Sequence, residues 1–279
     1  MTPVPLHHTG PKFGRKPRAH DARIPKYHEL RKDPAPFPTF VDYSVGMPRA
    51  LGEMWNDSLG DCTCAAVGHA IQTWSCNAIP PIVTPSDNQI LTLYEATGGY
   101  VPGDPATDNG CDEQTVLQYW LNNAVDDVKL TAYIEIDTSN LANVKQSIYE
   151  CGVVYSGFNV PNYLMSFTAP GSVWDVHPNL DNSYAGGHCV VHVGYDVDGN
   201  MTIISWGSFY TMTPAFWNAF VDEAYGLVDS EWVKATGATP AGLSLSQLEA
   251  AMTKLKFTPS SGDRRQHRRK RRHRMRSSS

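Results

Sequence analysis

Two short segments of the chain carry residue types that could perform nucleophilic chemistry together. In the first, a polar, turn-forming run ends in Gly60-Asp61, and small residues at helical spacing follow from Cys62 to Trp74. This pattern predicts a buried helix over 62–74 with Asp61 as its N-cap. The unpaired N–H groups at a helix N-terminus favour negative charge, so they lower the pKa of a thiol in the first turn. Cys62 is therefore a candidate nucleophile.

A cysteine beside small residues more commonly packs as a small apolar group, so this interpretation needs a base elsewhere in the chain. His188 is the candidate base, and it precedes a β-branched run that predicts a strand. Asp198-Gly199 joins this strand to a second one over 201–206 and is a two-residue hairpin signal. Antiparallel pairing brings the start of the first strand beside the end of the second, so His188 is expected near Ser205 and Trp206.

Four motifs occur in the order found in one known family. They are Phe40-Val41-Asp42-Tyr43, the run from Asn56 to Cys62, the run from Gly187 to Tyr195, and Ser205-Trp206-Gly207. Together they resemble the papain-like cysteine peptidase family, over roughly residues 37–233, and its divergent bacterial and phage members in particular. The interval between Cys62 and His188 agrees with this resemblance, because about 130 residues separate the nucleophile from the histidine in such enzymes.

The resemblance implies an α+β fold of two lobes, a helical left lobe and an antiparallel, β-barrel-like right lobe, with the active-site cleft between them. It also implies a thiol hydrolase that cleaves peptide (amide) bonds through a thiolate–imidazolium pair of Cys62 and His188. The Asn56 side chain then belongs to the oxyanion hole, and the expected partner is a peptide or protein substrate. No cofactor and no metal is implied, since the lone pair of Cys62 and Cys64 has poor spacing for zinc.

Two departures from the family pattern bear on activity. Asn56 replaces the family's oxyanion glutamine and is one methylene shorter. Alignment on the Ser-Trp-Gly motif places Ile204 where the family has the asparagine that orients the histidine, and isoleucine cannot hydrogen-bond an imidazole. Ser205, a backbone carbonyl or an acid from 175–181 are the candidates to replace that asparagine, while Trp206 is expected to shield the histidine from water.

Cys64 and His192 are rival candidates for the two chemical roles. Two residues along a helix correspond to a turn of about 200°, so Cys64 is expected to face away from a cleft that Cys62 faces. His192 lies on the His188 face of the same predicted strand, yet about 13 Å farther along it. Both are therefore predicted to be structural.

Composition and pattern divide the chain into five segments. They are a basic extended arm (1–36), a helical lobe with the Cys62 helix (37–130), a β-rich lobe with His188 (131–235), a C-terminal helix and linker (236–262), and a disordered arginine-rich tail (263–279). Papain-like zymogens carry a much longer inhibitory propeptide, so the arm is too short to resemble one.

Charge is distributed unevenly along the 279 residues. Nine Lys/Arg fall in 264–276 and eight in 1–32, whereas 33–262 carries six against 25 Asp/Glu. The basic tail could bind nucleic acid or another polyanion with steep salt dependence, or only contact the acidic body. No run of 18 or more apolar residues occurs, so no membrane contact is predicted, and no secretory signal is seen. A cytoplasmic or virion-associated protein with mostly reduced cysteines is expected.

Two other functions fit the same residues. One is a catalytically weakened or inactive papain-fold protein with a structural or virion-associated role, whose basic arms bind polyanions. The other is a cell-wall amidase of the NlpC or CHAP type, which shares the order of cysteine and histidine. Those amidases have a shorter interval between the two residues and lack a Trp-Gly strand of this kind. The oligomeric state and the substrate sequence are left open by the residues.

Overall fold

The computed structural model describes residues 11–30, 36–78, 81–253 and 255. The α-helices in these ranges are α1 (Tyr27–Leu30), α2 (Cys62–Ala78), α3 (Asp87–Gly98), α4 (Glu113–Asn122), α5 (Leu141–Cys151), α6 (Pro214–Phe220), α7 (Ser230–Thr236) and α8 (Leu245–Met252). The strands are β1 (Val41–Asp42), β2 (Ala132–Glu135), β3 (Val154–Pro161), β4 (Val173–Trp174), β5 (Tyr184–Tyr195), β6 (Met201–Ser205), β7 (Ser208–Met212) and β8 (Val221–Val228). Most helices precede the main run of strands, as expected for an α+β fold.

The predicted helix at Cys62 is confirmed, and it continues to Ala78. It is buried along most of its length and packs against β5, α3 and α7. Most of its residues are small or apolar, and buried polar side chains are bonded internally: His69 Nδ1 lies 2.9 Å from Gln72 Oε1, and the Thr73 hydroxyl donates to the His69 carbonyl at 2.8 Å. This burial fixes the N-terminus of α2 against the sheet.

Reciprocal side-chain caps define the starts of two other helices. The Ser86 hydroxyl accepts the Gln89 backbone N–H at α3, while the Gln89 side chain accepts the Ser86 N–H. Ser244 and Gln247 make the same arrangement at α8. Such capping boxes satisfy two backbone N–H groups that a helix leaves unpaired.

The strands form one sheet in the order β2-β8-β3-β5-β6-β7-β4, and β1 also pairs with β5. The pairs are antiparallel except for β4 with β7. The predicted hairpin is confirmed, since Tyr195 pairs with Met201 and Val191 with Ile204. Of the strands that the sequence does not predict, β8 lies between β2 and β3, whereas β7 and β4 extend the sheet beyond β6.

Two further expectations can be compared with the structure. All six cysteines are free thiols. No helix in the described ranges has both the length and the apolar character needed to cross a membrane. The arginine-rich tail over 263–279 lies outside the described residues.

The basic arm is joined closely to the rest of the protein. Ile24 and Tyr27 are buried, and the Tyr27 hydroxyl donates to Glu150 at 2.8 Å. The Glu135 N–H on β2 donates to the Pro25 carbonyl at 2.9 Å. From this attachment the described part of the arm runs back toward the N-terminus of α2 and the start of β5.

Candidate active site

Cys62 is the first residue of α2 and is buried, with 1% of its surface exposed. The backbone N–H groups of Cys189 and Gly14 face the sulfur and lower the pKa of the thiol, but burial has the larger effect and raises that pKa to about 12. The predicted lowering of the Cys62 pKa is therefore wrong for this conformation, in which the thiol is neutral at pH 7. Cys62 nevertheless lies beside Cys189, the residue that follows His188.

Asp61 precedes α2 but does not cap it with its side chain. Its backbone carbonyl accepts the N–H groups of Cys64 and Ala65, at 2.7 and 3.0 Å. Neither carboxyl oxygen reaches hydrogen-bond geometry with a described residue, although Asn56 lies close enough to lower the pKa of the carboxyl group. Burial dominates and raises the pKa of Asp61 well above its usual range. Asp61 therefore occupies the predicted N-cap position, but its buried carboxyl group does not cap the helix.

His188 lies on β5 and is fully buried. Its Nε2 atom is 2.7 Å from Ser205 Oγ, whereas Nδ1 has no hydrogen-bond partner among the described residues. The indole ring of Trp206 stacks on the imidazole with centroids 4.6 Å apart, and Phe13 approaches it edge-on at 5.5 Å. Burial lowers the pKa of His188 to about 3. The imidazole is thus neutral here, and its Nδ1 atom is available to exchange a proton.

The register of the β5–β6 hairpin determines which side chain contacts the His188 imidazole. Ile204 pairs with Val191 and is buried in the core. Successive side chains of a strand point to opposite faces, so Ser205 projects from the face opposite to Ile204. Of the groups considered as replacements for the family's asparagine, Ser205 is therefore the one that contacts Nε2 of His188.

Three non-glycine residues next to the site have left-handed backbone conformations. The φ angles are 54° at Met54, 73° at Trp55 and 44° at Trp206. Trp55 precedes Asn56 directly, and Trp206 follows Ser205. Such conformations cost about 1–3 kcal/mol each and persist only where the surrounding structure holds them. Both segments are thus held in shape at the residues that carry the candidate side chains.

The Asn56 side chain is buried and directed toward the same region. Its Nδ2 atom donates to the Leu59 carbonyl at 3.2 Å and approaches the Lys12 carbonyl at 3.4 Å. The indole N–H of Trp206 donates to the same Lys12 carbonyl at 3.3 Å. Two N–H donors therefore converge on a peptide carbonyl oxygen, and the shorter asparagine is long enough to reach it.

Residues 12–16 of the arm lie across the site and bond to both of its walls. The backbone hydrogen bonds are Lys12 N–H to Asn56 O (3.1 Å), Gly14 N–H to Gly187 O (3.1 Å), Arg15 N–H to Gly187 O (2.9 Å), Cys111 N–H to Gly14 O (2.9 Å) and Lys16 N–H to Cys111 O (3.0 Å). Five residues of the arm therefore lie over Cys62, whose sulfur faces the Gly14 N–H.

Gly14 is the point of closest approach between the arm and the helix start. A Cβ atom at this position would lie 1.7 Å from the Gly60 carbonyl oxygen. Gly60 is itself fixed, because its N–H donates to the Asp108 carboxylate at 3.0 Å. Only glycine allows the arm to pass at this distance above the residues that lead into α2.

The Arg15 side chain extends from the covered cleft into a cluster of acidic side chains. The guanidinium lies 2.5 Å from Asp222, 2.8 Å from Glu223 and 3.3 Å from Glu113. The side chains of Arg15, Glu113 and Glu223 are each 1% exposed or less, whereas that of Asp222 is 39% exposed. Burial alone would lower the pKa of Arg15, but the charges of Glu113 and Asp222 and the bond to Glu223 raise it.

Cys64 and His192 are predicted to be structural, and each lies beside a hydroxyl group in the structure. The Cys64 sulfur is 3.6 Å from the Thr97 hydroxyl, and burial raises its pKa well above the usual value. The His192 Nε2 atom is 2.7 Å from Ser156 Oγ, and its ring meets Trp217 edge-on at 5.0 Å. Within the described ranges, no group of His, Cys, Asp and Glu side chains is arranged to hold a metal ion.

The site thus brings together Cys62, Asn56, His188, Ser205 and Trp206, all of which are candidates from the sequence. The role of Gly14 and Arg15 was missed. The signal that could have found it is the contrast between a basic arm and an acidic body. That contrast indicates pairing between them, but it does not show which acids a given arginine meets.

No family model matches the chain, and no curated protein matches it by sequence. Solved structures do match its fold. Xylellain, a cysteine protease from Xylella fastidiosa, gives a TM-score of 0.59 at 17% identity, covering 81% of this chain and 99% of that one.

Two cathepsin precursors are also similar in structure. Digestive procathepsin L 3 of Tenebrio molitor larval midgut gives a TM-score of 0.52 at 11% identity, over 74% of this chain and 76% of its own. Procathepsin B S9 from Trypanosoma congolense gives 0.53 at 10% identity, over 78% and 86%. The chain therefore has the α+β fold of papain-like cysteine proteases, as the motifs predict.

Proposed function

We propose that this chain is a papain-like thiol hydrolase that cleaves peptide bonds with Cys62 as nucleophile and His188 as acid and base. The proposal rests on the hydrogen bonding of the two nitrogen atoms of the His188 imidazole. Ser205 occupies Nε2 at 2.7 Å, while the buried Nδ1 has no partner among the described residues. The next residue along β5, Cys189, presents its N–H to the Cys62 sulfur. One ring nitrogen is thus held, and the other is left for proton transfer.

The reaction follows from these positions. Transfer of the thiol proton to His188 gives a thiolate and an imidazolium, and the thiolate attacks the carbonyl carbon of the peptide bond. The backbone N–H of Cys62 and the Asn56 amide stabilise the resulting oxyanion. His188 then protonates the leaving amine, and water hydrolyses the thioester to free the acid and regenerate the thiol.

The proposal requires that residues 12–16 leave the cleft before a substrate enters. With the arm in place the Lys12 carbonyl lies against Asn56 and Trp206, and the thiol is neutral. Once water replaces the arm, the burial that raises the thiol pKa is relieved. The N-terminus of α2 and the Cys189 N–H then favour the thiolate.

Gly14→Ala in the full chain tests the proposal, because its Cβ is incompatible with the arm's path over Gly60. Lys12→Ala is the matched control, since Lys12 bonds to the cleft through its backbone. We expect Gly14→Ala to react at Cys62 with an irreversible thiol-directed epoxide and to hydrolyse fluorogenic peptides, and Lys12→Ala to behave as the unmodified chain does.

Mass spectrometry locates the epoxide, and thermal melting checks that each variant is folded. Folded Gly14→Ala that neither reacts at Cys62 nor cleaves peptides would overturn the proposal. Reaction at Cys62 without hydrolysis of any peptide would instead favour the inactive papain-fold scaffold.

A further inference from the structure

The acids around Arg15 form a pocket whose members are held ready for a cation. Glu223 accepts the Tyr225 hydroxyl at 2.6 Å on one carboxylate oxygen and faces Arg15 with the other. The Tyr225 oxygen in turn accepts Gln114 Nε2 at 2.9 Å. Glu223 is thus fixed independently of Arg15.

Glu113 supplies the second wall of this pocket, and it is fully enclosed. Its side chain is 0% exposed, and beside Arg15 the Cys189 side chain also favours its charged form. Burial and the neighbouring charge of Glu223 raise the pKa of Glu113 well above its usual range, and Arg15 opposes this. A buried carboxylate without a cation is strongly unfavourable, so an emptied pocket requires a positive group or a proton.

The pocket is also shaped for a long, narrow side chain. Gly157 on β3 forms its floor, and a Cβ atom there would lie 2.0 Å from Arg15 Nε and 2.1 Å from Glu113 Oε1. A guanidinium presents several N–H donors in one plane and suits several carboxylates better than an ammonium does. The missing side chain at Gly157 leaves the space that this planar group fills.

The Arg15 side chain enters the pocket directly beside the candidate catalytic residues. The Arg15 backbone N–H donates to the carbonyl of Gly187, which precedes His188, and Arg15 forms a bridge with Cys111. An extended peptide that makes the same backbone bonds presents one side chain to the three acids. The arm therefore occupies the path of such a peptide, with Arg15 as the residue that enters the pocket.

We propose that Glu113, Asp222 and Glu223 form the specificity pocket for an arginine side chain of the substrate, which Arg15 fills while the arm covers the cleft. This rests on the proposed function. Peptides with arginine at the position facing the pocket are then preferred substrates, and the arm excludes them by offering the same guanidinium. Glu113 and Glu223 determine this preference without taking part in the bond cleavage.

Peptide binding tests the pocket separately from catalysis. The full chain carrying Cys62→Ala, Gly14→Ala and Arg15→Ala has a vacant pocket, a displaced arm and no nucleophile. A fluorescent peptide with the sequence of residues 11–16 should bind it about thirtyfold or more tightly than the same peptide with citrulline, a neutral isostere of arginine, in place of Arg15. Fluorescence anisotropy measures both affinities. Equal affinities would overturn the proposal and leave the proposed function intact.

Chemical rescue provides a second measurement that needs only one substitution. Arg15→Ala leaves the buried acids without a cation, and ethylguanidinium at millimolar concentration should raise its melting temperature by binding the native state. Ethylurea, which has a similar shape and no charge, should not. The unmodified chain, with its pocket filled, should respond to neither. Equal effects of the two compounds on Arg15→Ala would contradict a guanidinium pocket.

Rates of peptide hydrolysis then test whether the pocket selects the substrate. In Gly14→Ala, kcat/KM for peptides with arginine at the discriminating position should exceed that for the citrulline peptides, and Glu223→Gln should reduce this ratio. A ratio near one in an active enzyme overturns the pocket alone. Absence of both hydrolysis and Cys62 labelling overturns the proposed function, and with it the substrate assignment.

Discussion

Ser205 Oγ lies 2.7 Å from His188 Nε2 and holds the imidazole from the strand next to its own. A hydroxyl can donate to this nitrogen or accept from it, so Ser205 is able to stay bonded while Nδ1 gains or loses a proton. In the arm-released Gly14→Ala chain, we expect Ser205→Ala to lower kcat/KM between about tenfold and a hundredfold, less than the full contribution of general acid–base catalysis. Steady-state kinetics as a function of pH provides the measurement.

Ser205→Thr is the matched control, since it keeps the hydroxyl on a strand residue. We expect it to retain most of the activity and the pH profile of the Gly14→Ala parent. If Ser205→Ala and Ser205→Thr lost activity equally, the hydroxyl would not be the positioning group.

Asn56 is expected to contribute to the rate and little to substrate binding. In the Gly14→Ala chain, Asn56→Ala removes the side-chain N–H donor that approaches the Lys12 carbonyl in the covered site. Loss of one oxyanion donor typically lowers kcat by a factor of about 100 or more. We expect KM to change little and Asn56→Gln, which keeps the amide, to recover part of the rate. A variant with unchanged kcat would remove Asn56 from the mechanism.

Displacement of the arm should lower the pKa of Cys62. Burial raises it to about 12 in the covered site, and the N–H of Cys189 remains beside the sulfur when the arm has gone. The alkylation rate of Cys62 by iodoacetamide should therefore rise at a lower pH in Gly14→Ala than in Lys12→Ala. Mass spectrometry of the labelled peptide gives this rate at each pH. Identical pH profiles in the two variants would show that the arm does not control the thiol.

Three buried histidines should make the fold sensitive to acid. Burial lowers the pKa of His188 and His192 to about 3 and that of His69 to about 4. Since an unfolded histidine has a pKa of about 6.5, the unfolded chain binds more protons between these values and pH 6.5. The free energy of unfolding should fall as pH falls through this window, by up to about 1.4 kcal/mol per pH unit for each histidine.

Urea unfolding at pH 7, 6 and 5 measures this slope. Glu113 and Asp61 have raised pKa values and act in the opposite direction, so the comparison is made with His69→Gln, which leaves both acids in place. The variant should show a shallower loss of stability on acidification. Parallel slopes in the two proteins would contradict a buried, neutral His69.

Gly157→Ala, a substitution far from Cys62 in sequence, should weaken the binding of the arm to the rest of the protein. The added Cβ overlaps both Arg15 Nε and Glu113 Oε1, so the guanidinium has to leave or the pocket has to widen. We expect a loss of about 1–3 kcal/mol in the free energy of unfolding, the usual range for overpacking. Labelling of Cys62 should also become faster. Denaturant unfolding and epoxide labelling give both quantities, and an unchanged labelling rate would separate the pocket from the covering of the thiol.

The sequence predicted the elements that local pattern determines. The helix at Cys62 and the hairpin at Asp198-Gly199 each depend on nearby residues, and each is confirmed. Ordered motifs also indicated that Cys62 and His188 belong to one site. That Ser205 rather than Ile204 contacts His188 could be predicted only with the register of the β5–β6 pairing. Alternation along a strand assigns faces only once the pairing is known.

The covered state could not be read from the sequence, because it depends on contacts between distant segments. Gly14 and Arg15 stand in a polar stretch with no apolar period, which is the ordinary appearance of a loose terminus. Their partners Gly60, Glu113 and Asp222 come from three different parts of the chain. The same contacts reverse the predicted change in the pKa of the Cys62 thiol. This pKa is raised rather than lowered, since burial outweighs the influence of the helix N-terminus.

Attachment of the arm at Ile24 and Tyr27 determines how the covered site responds to dilution. Because both the arm and the cleft belong to one chain joined by a short connection, the arm acts at an effective concentration on the order of millimolar, whatever the concentration of protein. Diluting the protein therefore leaves the cleft covered, and a competing peptide has to overcome that local concentration. A single backbone cut between residues 17 and 23 would turn the arm into a separate, bimolecular ligand that dilution removes.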